Sequence, residues 1–406
     1  MRILFVGMAN SVHLTRWANQ LDVTHWERFL FPVQTARPHG DLKNLTIING
    51  SEVPGFYNNR SLRHMNGSLP LYAINFFNRI IKKRLKPLEA VVNPSPLLVY
   101  ALVTTIKRIK PDIIHSMEFQ EAGYLTREAK RKFKGKFPKW IATNWGSDIY
   151  LFGRLAEHRE RVRAVVENCD YYSCECERDV VLAREYGLRG EVLPVIPNTG
   201  GFDLTACESL KSPGSISERK LILLKGYQGW AGRALSGLRA LARCADVLNA
   251  RGYSVAVYSS NPDVNIAVEL FALETGVPVE IIPPCSHIEM LKKYGQARIY
   301  VGLSISDAIS TSLLEAMVMG TFPIQSCTAC ADEWIVDGQS GLIVPPEDID
   351  VIENALRKAL TDDTLVNQAA LLNKETARTR LDVSIIQPQV IDFYQRVYNS
   401  NLDIRL

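Results

Sequence analysis

Two carboxylates eight positions apart, Asp307 and Glu315, bracket the run Ser310-Thr311-Ser312-Leu313. The apolar residues 299–303 read as a strand, and a helix begins near Ser310 to Ser312. Amides at a helix start favour a phosphate, while flanking carboxylates accept hydrogen bonds from sugar hydroxyls. The spacing also fits another role, because Ser312-x-x-Glu315 is a capping box in which Glu315 only closes the helix start. A second loop, Lys225-Gly226-Tyr227-Gln228-Gly229-Trp230-Ala231-Gly232-Arg233, joins a strand over 221–225 to a helix over 233–248. Its two cations can clamp a diphosphate, arginine through its planar fork, and the glycines permit close backbone approach. Two solvated surface charges are the alternative. A third loop, Gly7-Met8-Ala9-Asn10-Ser11-Val12-His13, follows the first strand and could seat a polar or anionic ligand at the next helix start. Its single glycine falls short of the dinucleotide fingerprint, which disfavours a nicotinamide-dependent dehydrogenase. An ordinary turn capped by Ser11 or His13 is the other reading.

Other residue sets exclude other chemistries. Cys327-Thr328-Ala329-Cys330 follows a strand, where a thiol pair would sit. No second pair stands at zinc spacing and Cys174-Glu175-Cys176 is too tight, so incidental cysteines and no metal are expected. No Ser/His/Asp order, metalloprotease helix or Walker loop occurs. Residues 76–86 place Phe77, Ile81 and Leu85 on one face and cations on the other. That pattern fits an interfacial helix or a domain helix with a solvated basic face.

These loops need a scaffold, and 406 residues, 47% hydrophobic and 22% charged, are enough for two or three packed domains. Short β-type runs at 3–6, 113–115, 140–143, 171–173, 221–225, 255–259, 279–282, 299–303 and 322–325 alternate with amphipathic stretches. This is the α/β signature of parallel sheets covered on both faces. Pro197-Asn198-Thr199-Gly200-Gly201 and the following Ser/Pro/Gly-rich stretch mark a boundary near 200. The expected division is 1–200, 201–382 and a terminal helix over 383–406 that packs on either domain. Overall charge is +4, but residues 1–200 carry 29 Lys/Arg against 19 Asp/Glu, and the remainder 18 against 24. The basic first half therefore suits an acidic acceptor or an anionic membrane surface. Eight scattered cysteines suit a reducing cytoplasm. Residues 1–9 read as a buried strand and not a leader, and no apolar window reaches the ~20 residues of a spanning helix. The expected location is cytoplasmic, with peripheral attachment to the cytoplasmic face of a membrane as the one membrane option.

Five segments together resemble the retaining, GT-B type glycosyltransferases of family 4, the group 1 glycosyltransferases. They are Ile3-Leu4-Phe5-Val6-Gly7 with Asn10-Ser11-Val12-His13 and Arg16-Trp17-Ala18; Pro111-Asp112-Ile113-Ile114-His115; Thr143-Asn144-Trp145-Gly146-Ser147-Asp148-Ile149; Ile196-Pro197-Asn198 with Gly201-Phe202-Asp203; and Asp307 to Gly320 with Gly338-Gln339-Ser340-Gly341-Leu342-Ile343-Val344-Pro345. The last resembles the family's E-x7-E element. The resemblance implies two Rossmann-like α/β domains facing a central cleft, the second binding a nucleotide-sugar and the first an acceptor. It implies transfer of a hexose-type sugar to a glycan, lipid-linked or small-molecule acceptor, with retention and without metal or cofactor. It assigns Glu315 to the donor ribose and Asp307 to the transferred sugar, and makes Lys225, Arg233, Gly226, Ser310, Thr311, Ser312 and Leu313 candidate donor contacts. Gly7, Asn10, Ser11, His13, Trp145, Gly146, Ser147 and Asp148 become acceptor or sugar-contacting candidates.

The chain departs from the pattern in four places. Asp307 stands where glutamate is usual, Trp145 where many members have histidine, and Ala329-Cys330 where a glycine pair is usual. Lys225 and Arg233 occur in reversed order. Two rival classes stay open: a GT-B type nucleotide-binding protein without transfer, and a nucleic-acid binder. The basic half lacks the aromatic interleaving of a single-strand groove, so no nucleic-acid partner is expected.

Overall fold

The computed structural model describes residues 1–48, 62–66 and 94–400; the basic amphipathic stretch over 76–86 lies outside them. The chain divides into unit 1, Met1–Gly200 with Gln387–Leu406, and unit 2, Gly201–Ile386. Both are α/β.

Among the described residues unit 1 has eight strands: β1 (Arg2–Gly7), β2 (Glu27–Pro32), β3 (Thr46–Ile48), β4 (Arg63–Met65), β5 (Ile113–Met117), β6 (Lys139–Thr143), β7 (Tyr171–Ser173) and β8 (Glu191–Val192). They pair in parallel in the order β4-β3-β2-β1-β5-β6-β7-β8. All five residues of β5 are buried, as a strand covered by helices on both faces requires. Unit 2 holds β9 (Leu221–Lys225), β10 (Ser254–Tyr258), β11 (Val279–Ile282), β12 (Ala297–Gly302), β13 (Phe322–Ser326) and β14 (Leu342–Val344), parallel in the order β11-β10-β9-β12-β13-β14. Strands β2, β3, β4, β8 and β14 were not anticipated from sequence. Four of these have only two or three residues, too few to set a period.

The order matters more than the count. In each sheet the chain changes direction of travel once, between β1 and β5 and between β9 and β12. Loops at the carboxyl ends of such strand pairs diverge and leave a crevice for ligand.

The terminal helix Val383–Asn399 passes from unit 2 into unit 1 at Gln387, beside Pro388, which removes one intrahelical donor. In unit 1 the helix is held by a buried chain of hydrogen bonds. Trp17 Nε1 donates to the Tyr394 hydroxyl at 2.8 Å, Tyr394 meets His115 Nδ1 at 2.6 Å, and His115 Nε2 meets Thr143 Oγ1 at 2.6 Å. Because indole is only a donor, the single Tyr394 proton goes to Nδ1, and His115 carries its own on Nε2. Burial pushes the pKa of His115 down to about 3, so the imidazole is neutral.

Candidate active site

In unit 2 the loops after β9 and β12 lie side by side. Gly232 bridges Ser304, Arg233 N donates to Leu303 O at 2.9 Å, and Ile305 N donates to Ala231 O at 3.2 Å. The adjacency of β9 and β12 thereby brings Lys225 to Ser310, 85 residues away, with Nζ 3.5 Å from Oγ. Lys225 is only 8% exposed, and its ammonium lies 4.3 Å from the centre of the Tyr227 ring. Burial alone would lower its pKa. The surrounding Tyr300, Tyr227, Asp307 and Glu315 more than offset this and hold it above the ordinary lysine value. A cation is kept charged in a dry place, which calls for an anion.

Ser310 caps the helix Thr311–Val318 by position, with extended backbone and no side-chain bond to the helix. Ser312 lies inside that helix, and its Oγ accepts from the Tyr258 hydroxyl at 3.0 Å. The capping-box alternative is therefore corrected. Glu315, 6% exposed, takes His287 Nε2 on Oε1 at 2.8 Å. Asp307 is half-buried, and its Oδ1 accepts from the Ala308 amide at 3.0 Å. The buried hydroxyl oxygens of Ser304 and Thr311 have no hydrogen-bond partner among the described residues. Both hydroxyls are therefore able to bond a water or a ligand.

Other expected donor contacts are occupied within the protein. Arg233 is half-buried, and its Nε donates to Glu347 at 2.6 Å while Nη1 donates to Gly229 O and Gly232 O. It closes its own loop, and the structure does not pair it with Lys225. Gly226 N donates to Tyr258 O at 2.7 Å, and a Cβ there would lie 2.8 Å from Ser260 Cα. Glycine is needed for two strand ends to pack. Leu313 is fully buried, with its amide donated to Ser310 O. Gly338 to Gly341 form the turn into β14, with Gly338 N on Gly341 O at 2.9 Å and φ +76° at Gly338. They stand at the amino edge, away from Lys225.

In unit 1 the loops after β1 and β6 bring His13 and Trp145 together, with ring centres 5.2 Å apart. Ser11 takes the capping role, its hydroxyl accepting from Leu14 N at 3.3 Å. A Cβ on Gly7 would meet Leu14 Cδ1 at 2.6 Å, so this glycine lets the first helix return over the sheet. Asn10 accepts from Gln34 on the surface. Gly146 adopts φ +84° and starts the short helix Ser147–Tyr150. Asp148 folds back on this turn and accepts from Trp145 N at 2.6 Å.

Sequence reasoning missed the acidic surroundings of Asp148. Glu118, at the end of β5 with φ +78°, accepts from the Glu121 and Ala122 amides. Asp179 is fully buried against Asn144 Nδ2 at 2.7 Å and Arg178. Burial, and secondarily Asp148, push Glu118 well above the ordinary carboxylate range. Burial pushes Asp148 up to about 7, assisted by Asp179 and opposed by the Trp145 amide. Such a group is protonated in the fold and ionised in the unfolded chain between about 3.8 and 7, so it lowers stability as pH rises through that window. Asp148→Asn should therefore gain stability relative to the native chain between about pH 4 and 7. Denaturant midpoints at both ends of the window check this, and a pH-independent difference would assign Asp148 an ordinary acidity. His287 was missed as well, since only tertiary contact joins it to Glu315.

Residues 268–378 match the family model for glycosyl transferases group 1, and residues 91–171 match the model for glycosyl transferase 4-like domains. Over those two segments the chain is similar to the group 1 glycosyltransferases. The matched segments include Asp307, Glu315, Trp145 and Asp148. No curated protein matches this chain significantly. Solved structures share its GT-B fold. The sucrose-phosphate synthase of Thermosynechococcus elongatus is 16% identical with TM-score 0.70, covering 99% of this chain and 100% of its own. A glycosyltransferase from Rickettsia africae is 15% identical with TM-score 0.65, covering 98% and 99%. HepE of Anabaena, solved with UDP-glucose, is 14% identical with TM-score 0.65, covering 97% and 99%.

Proposed function

We propose that this chain is a glycosyltransferase that moves a hexose-type sugar from a nucleotide-sugar to a glycan, lipid-linked or small-molecule acceptor, with retention and without a metal. The carrying observation is the charged, buried Lys225 beside the Ser310-capped helix start at the β9/β12 crevice. That pairing stabilises the departing diphosphate. Thr311 and Ser304 offer hydroxyls to the same group. Glu315, held by His287, takes the donor ribose, and Asp307 takes the transferred sugar. Being one methylene shorter than glutamate, Asp307 reaches a hydroxyl directly only if the sugar sits deeper, or through a water. The solved complex of HepE with UDP-glucose supports a uridine donor as the first to try. His13, Trp145, Ser147 and Asp148 in unit 1 supply acceptor contacts.

A thermal-shift panel of nucleoside diphosphates and nucleotide sugars tests this reading. A true donor at 100 times its dissociation constant stabilises by about 2.7 kcal/mol, and no shift with any of them overturns the proposal. Glu315→Gln should weaken the donor shift while leaving unliganded stability near native. Lost stability with unchanged donor affinity would give Glu315 a purely structural role.

A further inference from the structure

Unit 1 also carries a cavity of about 610 Å³ at the amino ends of β5 and β6, where Pro111 and Pro138 lead into the strands. The acceptor candidates sit at the opposite, carboxyl edge. With five residues per strand at about 3.3 Å each, the two edges are ~16 Å apart. The cavity therefore cannot hold the reacting end of an acceptor.

Its walls combine Ile106, Phe133 and Phe137 with Lys107, Lys110 and Lys136, and all three lysines are exposed. A fourth lysine is already committed, since Lys139 Nζ donates to the carbonyls of Val397, Tyr398 and Ser400, each at 2.7 Å. The acid on the wall, Asp112, accepts the Arg2 amide at 2.7 Å. Lys107 and Lys110 enter no ion pair among the described residues. Residues 107–139 hold ten Lys/Arg against four Asp/Glu, and one of the four, Glu118, is buried at the other edge. Two helices, Pro96–Ile109 and Tyr124–Lys132, end at this face. Their negative carbonyl ends account for the cations in their last turns, but not for Lys134 and Lys136 in the loop beyond.

We propose that this face docks the protein on an anionic phospholipid surface. Lysines ringing apolar side chains match a headgroup layer, the ammonium groups reaching phosphates while their stems and the rings enter the interface. Tyr398, 46% exposed at the rim, adds an amphipathic ring. A nucleic acid fits less well. Phe133 and Phe137 meet edge to face, 5.5 Å apart at 84°, and present no parallel platform for bases. The proposal goes beyond sugar transfer and does not depend on the donor assignment.

The test uses the full chain with vesicles of phosphatidylcholine alone or with added phosphatidylglycerol. Cosedimentation is expected only with the anionic vesicles and should fall with salt. The triple variant Lys107→Gln, Lys110→Gln, Lys136→Gln should bind roughly 100-fold more weakly. Its unfolding temperature and its vesicle-free turnover should match the native chain. Absence of native binding, or equal binding by the variant, overturns the proposal. So does tight binding of single-stranded nucleic acid or free nucleotide that the same variant abolishes.

Discussion

Lys225→Ala should lower transfer turnover by about 10²- to 10³-fold, the cost of losing a preorganised charge at a developing oxyanion. The side chain is fixed before substrate arrives, being buried at the end of β9, packed on Tyr227 and adjacent to Ser310. It therefore spends nothing on reorganisation as charge moves onto the diphosphate. The loss should fall mainly on turnover and less on donor binding, because charge on the leaving group is greatest in the transition state. Steady-state kinetics separates the two, with Arg233→Ala as the comparison. Arg233 is bonded to Glu347 and its own loop, so its removal should act through loop order and cost less. If Arg233→Ala were the more damaging change, the leaving-group role would pass to Arg233.

Tyr394→Ala should destabilise unit 1 by about 3–5 kcal/mol, in the range of large buried aromatic deletions. The ring packs among Phe5, Trp26, His115 and Phe393, and its hydroxyl joins Trp17 to His115. Tyr394→Phe keeps the packing and leaves the Trp17 N–H and His115 Nδ1 without their partner, at a cost of roughly 1–3 kcal/mol. Equilibrium denaturation of both variants divides packing from polarity. A cost below about 1 kcal/mol for the alanine variant would mean the terminal helix is only loosely held.

Much of the site could be read in the sequence because its parts are local. Each is a strand end, a short polar loop and a helix start within about fifteen residues, and residue type alone says what such a loop can bind. Asp307, Glu315 and Lys225 were singled out as candidates that way, whereas Trp145 entered only through the resemblance to the family. Two local patterns gave ambiguous answers. Ser312-x-x-Glu315 satisfies the spacing of a capping box, yet the helix starts two residues earlier and Ser312 is taken by Tyr258. The glycines of 226–232 look like ligand-facing glycines, yet Gly226 serves the approach of Ser260.

By itself the sequence determined the α/β class, the two-part organisation and which loops carry polar chemistry, since hydrophobic period and turn residues act over a few positions. Only the tertiary structure decided which loops meet. Placing β9 beside β12 set Lys225 against Ser310. Packing the helix His287–Gln296 near Thr311–Val318 gave Glu315 its histidine. Closing β5, β6 and β7 into one sheet buried Glu118, Asp148 and Asp179 near one another and raised their proton affinities. Desolvation and charge coupling depend on distance in space, and strand order, which no short stretch encodes, sets those distances.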